Sequence, residues 1–407
     1  MTPLLTAALF WWAVVGTVTS AIFCALVVVA ALRFRARSRR EYAQPATFTP
    51  PISVLKPLHG AEPGLALNLA TFFQQSYAAP FELVFCARTE SDAGLQIART
   101  VAAEYPHVPA RFLACGEPLY PNPKMYSFAV MAQAAAYPHL VTSDADARVD
   151  KDYLSRCIQA LAPQHTVRGL PVELSSCLYR GAIDHGNLFE HLDALGKTVE
   201  MSSGVLVADM LSGTDFALGV TMVLQRDAFA HAGGFADLGN YWAEDFVLGN
   251  RLAADGRGVE ISTHIIRLMV SHSSIADGFR NQLRWMQSTR RSRPLGHLGT
   301  GLTFAMPFGL LGCAIESAQH HWAAALIFLA LALLNRIVQA AAVLTALCAP
   351  SLIADALLYP LRDLLGSIVW LCSYLPAETR YHGTRFRIMP DGRLLSDDEL
   401  QGNSSRV

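Results

Sequence analysis

Leu140-Val141-Thr142-Ser143-Asp144-Ala145-Asp146 is the stretch whose reading decides the fold. Three β-prone or apolar residues run straight into a polar turn that carries two carboxylates one residue apart. That is the pattern of a buried strand ending in a loop. Working outward, Ile52-Ser53-Val54-Leu55-Lys56-Pro57 reads as a first strand ending in a loop with Gly60, and Phe81 to Cys86 as a second. The polar loop Arg88-Thr89-Glu90-Ser91-Asp92 follows the second strand, and Pro123 to Tyr137 reads as a helix. Strands alternating with helices predict parallel βαβ units, an α/β fold. In such sheets ligands collect at the carboxyl ends of the strands, which is where Asp92 and Asp144 fall.

The flanks have a different composition. Of 407 residues 52% are hydrophobic and only 16% charged, which predicts a membrane protein with a soluble portion rather than a wholly soluble domain. Ala7 to Leu32 carries no charge, with Trp11 and Trp12 near its start. It is longer than the ~7–15-residue core of a signal peptide and has no basic residues before it, so it reads as an uncleaved anchor. Arg33-Phe34-Arg35-Ala36-Arg37-Ser38-Arg39-Arg40 follows at once and places that end in the cytoplasm. After Pro294 come three more apolar runs, Leu302–Cys313, Trp322–Leu347 and Leu352–Leu375. The first is short and interrupted by Pro307. Arg380, Arg385, Arg387 and Arg393 favour a cytoplasmic C-terminus, so three spans are expected, with Leu302–Cys313 lying in the interface. The expected divisions are an anchor (1–32), a basic linker (33–49), the α/β domain (50–295), membrane helices (296–376) and a cytoplasmic tail (377–407). Eight cysteines without a CxxC pair give no zinc or disulfide pattern and fit a reduced compartment. No nucleic-acid partner is expected, and the oligomeric state is left open.

Several residues could carry chemistry, each beside a blander reading. Two carboxylates at Asp144 and Asp146 can meet one divalent cation, Mg2+ or Mn2+, bridging the phosphates of a nucleotide. The bland alternative is a solvated acidic turn. Asp92 would lie near a base or ribose, or simply cap a helix. In Asn122-Pro123-Lys124, Lys124 supplies a point charge for a phosphate or is merely exposed. Glu244-Asp245 follows two aromatics, Tyr241 and Trp242, at the start of a helical run. Acids are favoured there by the helix dipole, but Asp245 could also take a proton from an attacking hydroxyl. Arg284-Trp285 sits on another helix, either lying on a membrane surface with Arg290, Arg291 and Arg293, or holding a diphosphate. Met201-Ser202-Ser203-Gly204-Val205 and Ala232-Gly233-Gly234-Phe235 read as loops with room for close ligand approach.

Taken together these residues resemble the ceramide glucosyltransferase family, membrane-bound inverting glycosyltransferases. The resemblance rests on residues 52–60, Asp92, Asn122-Pro123-Lys124, Asp144, Arg148-Val149, residues 219–222, residues 232–235, Ala243-Glu244-Asp245 and Arg284-Trp285, over roughly residues 50 to 295. It implies a GT-A nucleotide-sugar domain set between an N-terminal transmembrane helix and a C-terminal helical membrane region. It implies a UDP-sugar donor contacted by Asp92, an Asp144 at the metal–diphosphate end, and Asp245 as base with Glu244 beside it. Arg284 and Trp285 would complete the acceptor and diphosphate site, with a lipid hydroxyl as acceptor. The sequence departs from the family at Asn281, where Gln or Arg is usual three residues before Arg-Trp, with Gln282 one step later. It also departs at Asp146, which turns a single acid into a DxD. A bacterial branch that glycosylates hopanoid polyols is also similar, and the Ala/Leu/Arg-rich composition fits a bacterial inner membrane. A processive polysaccharide synthase would need more spans than these, and a non-enzymatic nucleotide-sugar-binding protein would bind UDP without forming product.

Overall fold

The computed structural model of the chain describes residues 2–375, 378–381 and 384–396. It divides into two compact units: residues 1–39, 180–211 and 270–376 form one, and residues 40–179, 212–269 and 377–407 the other.

The chain opens with α1 (Pro3–Tyr42). The basic stretch at Arg33–Arg40, expected as a linker, continues this helix, because Ala, Arg and Leu are all strong helix formers. In the second unit β1 (Ile52–Pro57), α2 (Leu65–Phe73), β2 (Phe81–Ala87), α3 (Ala93–Glu104), β3 (Ala110–Ala114), α4 (Pro123–Ala134) and β4 (His139–Ser143) alternate as the sequence predicts. There follow β5 (Ala147–Arg148), α5 (Tyr153–Cys157), β6 (Thr166–Val167) and the long β7 (Leu170–Ala182). After α6 (Leu188–Leu195) and α7 (Met201–Ser212) come β8 (Thr221–Gln225), α8 (Asp227–His231), α9 (Phe235–Leu238), α10 (Glu244–Ala254) and β9 (Gly258–Met269).

The main sheet runs β3-β2-β1-β4-β8-β7-β9-β5, with β6 paired to β7. The first four strands are parallel, so their carboxyl ends share one edge. β4 then pairs antiparallel with β8, Ser143 opposite Thr221. The end of β4 and the start of β8 are thus forced together, and Asp144 N donates to Val220 O at 3.0 Å. Leu55, Val84, Phe128, Leu140, Met222, Leu248 and Leu252 pack behind this edge as one apolar core. Burial on that scale, at about 25 cal/mol per Å² of apolar surface, holds the edge rigid.

The expected tail is partly structured: β10 (Glu378–Tyr381), β11 (Thr384–Ile388) and β12 (Leu394–Ser396) form a small antiparallel sheet. Ile388 and Leu394 are buried against Trp242 and Phe386. Trp242 N donates to Gly392 O at 3.0 Å and Leu394 N to Asn240 O at 2.8 Å. The side chains of Arg380 and Arg385, and residues 397–407 of the tail, lie outside the described residues.

The first unit is helical: α6 and α7, then α11 (Ile275–Ser292), α12 (Pro294–Thr300), α13 (Met306–Ala318), α14 (Trp322–Ala346) and α15 (Leu352–Cys372). Residues 201–205, read as a loop, form the start of α7, entered through a π-helical turn at Gly196–Glu200. The small residues there serve helix packing: Ser202 and Ser203 are fully buried, and Gly204 alone has open space beside it. Residues 232–235 do form a turn, in which Gly233 and Gly234 take φ of 99° and 87° that L side chains disfavour. A methyl on Gly16 would lie 2.1 Å from the Phe308 ring, so glycine lets α1 and α13 approach closely. Asp363 accepts from the free backbone N–H groups of Ala305 (3.0 Å) and Met306 (2.8 Å) at the start of α13, and from Arg336 Nη1 at 2.9 Å. Among the described residues two helices, α1 and α14, are long and apolar enough to cross a membrane. α13 is shorter, and α15, expected as a span, carries Asp355, Arg362 and Asp363.

Candidate functional site

Four separate stretches of the α/β unit meet around the ammonium of Lys124. Asn122 caps α4, accepting from Lys124 N (3.0 Å) and Met125 N (3.3 Å), and Pro123 occupies the first turn, where its missing N–H costs nothing. This cap fixes where Lys124 leaves the helix. Its Nζ lies 2.7 Å from Asp144 Oδ1, at the end of β4, and 3.6 Å from Glu244 Oε1, at the start of α10. It also donates to Gly219 O at 3.2 Å, just before β8. Gly219 N in turn donates to Asp245 Oδ2 at 2.5 Å, and Phe246 N to Asp245 Oδ1 at 2.8 Å. A methyl on Gly219 would stand 2.7 Å from Asp245 Oδ2, so glycine is what allows this carboxylate to reach the backbone. Lys124, Asp144, Glu244 and Asp245, picked out separately in the sequence, are therefore one cluster.

The two acids of α10 differ in setting. Glu244 is buried, and its Oε2 accepts from Asn122 Nδ2 at 2.9 Å. Asp245 is only partly buried. Burial, opposed by Lys124 and reinforced by Asp245, pushes Glu244 up to about 7. Burial also raises Asp245, against the pull of Lys124 and its two backbone donors. The helix dipole, expected to depress these acids, is outweighed by desolvation and mutual repulsion. Lys124 itself is raised: burial works against its charge, but Asp144, Glu244 and Asp245 outweigh that. The arrangement can accept a proton near neutral pH and holds a fixed positive charge beside it.

Sequence reasoning missed three participants: Asn122 as the donor to Glu244, Gly219 as the backbone donor to Asp245, and Lys56. Lys56 is fully buried at the end of β1 and donates to Ser143 Oγ (3.4 Å) and to the backbone oxygen of Asp144, with its Nζ 3.9 Å from the centre of the Phe72 ring. Burial lowers it to about 7, although Asp144 and Asp146 resist the shift. A lysine inside an otherwise apolar strand was the available signal, since lysine is almost never fully buried unless paired.

Asp92 lies apart from this cluster. It caps α3, accepting from Gly94 N (2.8 Å) and Leu95 N (3.3 Å), and its Oδ2 takes Gly60 N at 3.1 Å. It joins the loops after β1 and β2 at the same sheet edge as Asp144. Asp146 is half-buried one turn beyond, and its backbone oxygen accepts from Met269 N at 2.9 Å. Among the described residues no group of three or more His, Cys, Asp or Glu side chains is placed to hold a metal ion. The donor set fits a cation that takes one or two carboxylates and completes its shell with phosphate oxygens and water, as Mg2+ commonly does.

Arg284 and Trp285 lie on α11 of the helical unit. Ser274 caps this helix by accepting from Asp277 N at 3.1 Å. Arg284 is exposed and donates to Asn281 Oδ1 at 2.9 Å, so the shorter amide at 281 holds this arginine from one turn away. The Nζ of Lys197 lies 5.5 Å from the centre of the Trp285 ring, and Asp193 holds Lys197 at 2.6 Å.

The model of glycosyl transferase family 21 matches residues 12–394. Ceramide glucosyltransferase 1 of Caenorhabditis elegans is 25% identical over 244 residues, 60% of this chain and 51% of that protein. Ceramide glucosyltransferase 3 of the same organism is 24% identical over 300 residues, 74% of this chain and 63% of that protein. The chain thus spans between about a half and two thirds of the length of these curated relatives. Among solved structures, a mannosyltransferase from Pyrobaculum calidifontis in complex with GDP-Man and Mn2+ is similar at 17% identity and a TM-score of 0.48, covering 88% of this chain and 97% of that one.

Proposed function

The chain belongs to glycosyl transferase family 21, and from that premise we propose that it is a membrane-bound inverting glycosyltransferase. It moves a sugar, glucose in the first instance, from a UDP-sugar to the hydroxyl of a ceramide-type lipid. The observation that carries the reading is the cluster of Asp144, Glu244 and Asp245 about Lys124 at the carboxyl edge of a GT-A-like sheet. The relatives are ceramide glucosyltransferases, which supports this acceptor over the hopanoid alternative.

In this reading Asp245, the less buried of the two acids, takes the proton of the acceptor hydroxyl. The hydroxyl oxygen bonds to the anomeric carbon from the face opposite the diphosphate, the bond to the diphosphate oxygen breaks, and UDP leaves with that electron pair, so the configuration inverts. Glu244, fixed by Asn122, sets the field in which Asp245 ionises, and Lys124 keeps the acids together at short range. Asp92 is assigned to the nucleotide at the ends of β1 and β2. Asp144 and Asp146 would hold a divalent cation, whose chemistry when bound is to screen the charge on the leaving diphosphate. Arg284 and Trp285 together are assigned to the acceptor and diphosphate site on the family resemblance alone. The apolar helices α1 and α14 support a membrane protein, and in this reading it is multi-pass, with its α/β unit in the cytoplasm, as the basic end of α1 favours.

The test is Asp245→Asn in the full chain, purified in detergent, with Mn2+, UDP-glucose and ceramide. Transfer should fall by about 10²–10⁴, the usual share of a general base, while UDP-sugar binding stays within twofold. Transfer retained in that variant would remove Asp245 from the role. Wild-type protein that binds UDP-glucose without yielding any glycolipid would point to the binding-protein alternative.

A further inference from the structure

Within the helical unit, a line of buried polar side chains serves neither the cluster about Lys124 nor the outer faces of the helices. Arg362, on α15, is buried; its Nε and Nη2 donate to Glu200 Oε2 at 3.0 and 2.7 Å, and its Nη1 to Gln282 Oε1 at 2.5 Å. Three residues back on α15, Tyr359 OH receives Gln339 Nε2 at 3.5 Å, and Gln339 Nε2 also donates to Ser203 Oγ at 2.9 Å. Ser203 in turn lies three residues beyond Glu200. The two groups are therefore anchored about one turn apart on α15, at Arg362 and Tyr359, and again at Glu200 and Ser203.

Each group leaves one polar atom without a partner. Gln282 is 6% exposed and its Nε2 makes no hydrogen bond; Gln339 is 1% exposed and its Oε1 makes none. For Gln282 the orientation of the amide is fixed, because a guanidinium can only donate, so the oxygen must face Arg362 and the free atom must be the donor. For Gln339 either orientation leaves one amide atom unsatisfied, since both neighbours are hydroxyls. A buried amide atom left bare is costly, and a ligand that supplies both an acceptor and a donor would satisfy the two. The backbone makes room for the line. A methyl on Gly196 would lie 2.3 Å from Arg362 Nε, and one on Gly366 would lie 2.9 Å from Glu200 Oε2. The π-helical turn at Gly196–Glu200 carries Glu200 into place, and such turns are frequent at functional sites.

We infer that Gln282 and Gln339 read the polar end of the lipid acceptor, Gln282 Nε2 donating to a lipid oxygen and the Gln339 amide pairing with a lipid N–H or O–H. The ligand class is an N-acylated amino alcohol. This rests on the proposed lipid acceptor and adds the residues that select it. Arg362 and Glu200 are positioning residues, since they hold Gln282 and do not themselves need to touch the lipid.

The test uses the full chain in detergent and measures direct binding of a short-chain N-acyl amino alcohol without donor, beside a diacylglycerol of equal chain length. Gln282→Glu keeps an oxygen on Arg362 but removes the donor; Gln339→Met keeps length and removes both polar atoms. Each should weaken binding of the N-acyl lipid by about tenfold or more, the worth of a buried hydrogen bond. In transfer assays each should raise the acceptor KM with the donor KM unchanged. Binding within twofold of wild type in both folded variants overturns the inference. So does wild-type binding that does not distinguish the N-acyl lipid from diacylglycerol. Wild-type protein that binds the lipid in a Gln282-dependent way yet transfers no sugar leaves this inference standing and defeats the enzymatic reading instead.

Discussion

Without the ammonium of Lys124, Asp144, Glu244 and Asp245 would face one another with no cation at 2.7 or 3.6 Å to offset them. The lysine lowers Glu244 and Asp245 against burial and mutual repulsion, which together still leave Glu244 near 7. In the proposed reaction the base must be ionised to work, and both acids of α10 are held above the ordinary carboxylate range, so the transfer rate is expected to rise with pH as the pair ionises. Lys124→Met removes the positive charge that favours the ionised acids, so this rise should move to higher pH and the rate at pH 7 should drop. A kcat/KM–pH profile of the two proteins decides it. An unmoved acid limb would mean that the titrating base does not feel Lys124.

At the level of elements, α4 and α10 are joined through Asn122, whose Oδ1 caps one helix while its Nδ2 holds the first acid of the other. Asn122→Ala should lower stability by about 0.5–2 kcal/mol for the cap alone, read as a fall in the thermal midpoint. Asn122→Asp keeps the cap but sets a second carboxylate against Glu244 Oε2 in place of a donor, so it should recover little of that stability at neutral pH. The local parts of this arrangement were legible in the sequence. Strand-then-acid at residues 140–146, Asn-Pro at the start of a helix and Glu-Asp at the start of another are short-range patterns with short-range causes. What escaped was long-range. The antiparallel half of the sheet, with β7 and β9, has helices between its strands just as the parallel half does, so element order does not announce the reversal of direction. The pairing of β4 with β8 that brings Gly219 to Asp245 is a matter of register. Residues 201–205 looked like a loop because serine and glycine are poor helix formers, yet burial against neighbouring helices overrode that preference.

The whole molecule shows its surroundings in what it leaves uncovered. Leu326, Ile327 and Leu334 on α14, and Trp11, Ile22 and Leu32 on α1, are each more than half exposed, far more apolar surface than a water-soluble chain keeps in one region. The protein should stay in the membrane fraction through alkaline carbonate and high salt and leave it only with detergent; release by salt would mean that charge alone holds it. The small sheet of β10, β11 and β12 has a consequence of its own. Its Gly392 and Leu394 bind the backbone of Trp242 and Asn240, immediately ahead of Glu244 and Asp245. Every helix from α11 to α15 is synthesised between those two partners. On the ribosome, then, the loop ahead of the acids waits for its last backbone partners until the apolar helices have been made. The chain is made in an order that leaves the loop ahead of these acids without its last bonds until all of those helices have emerged.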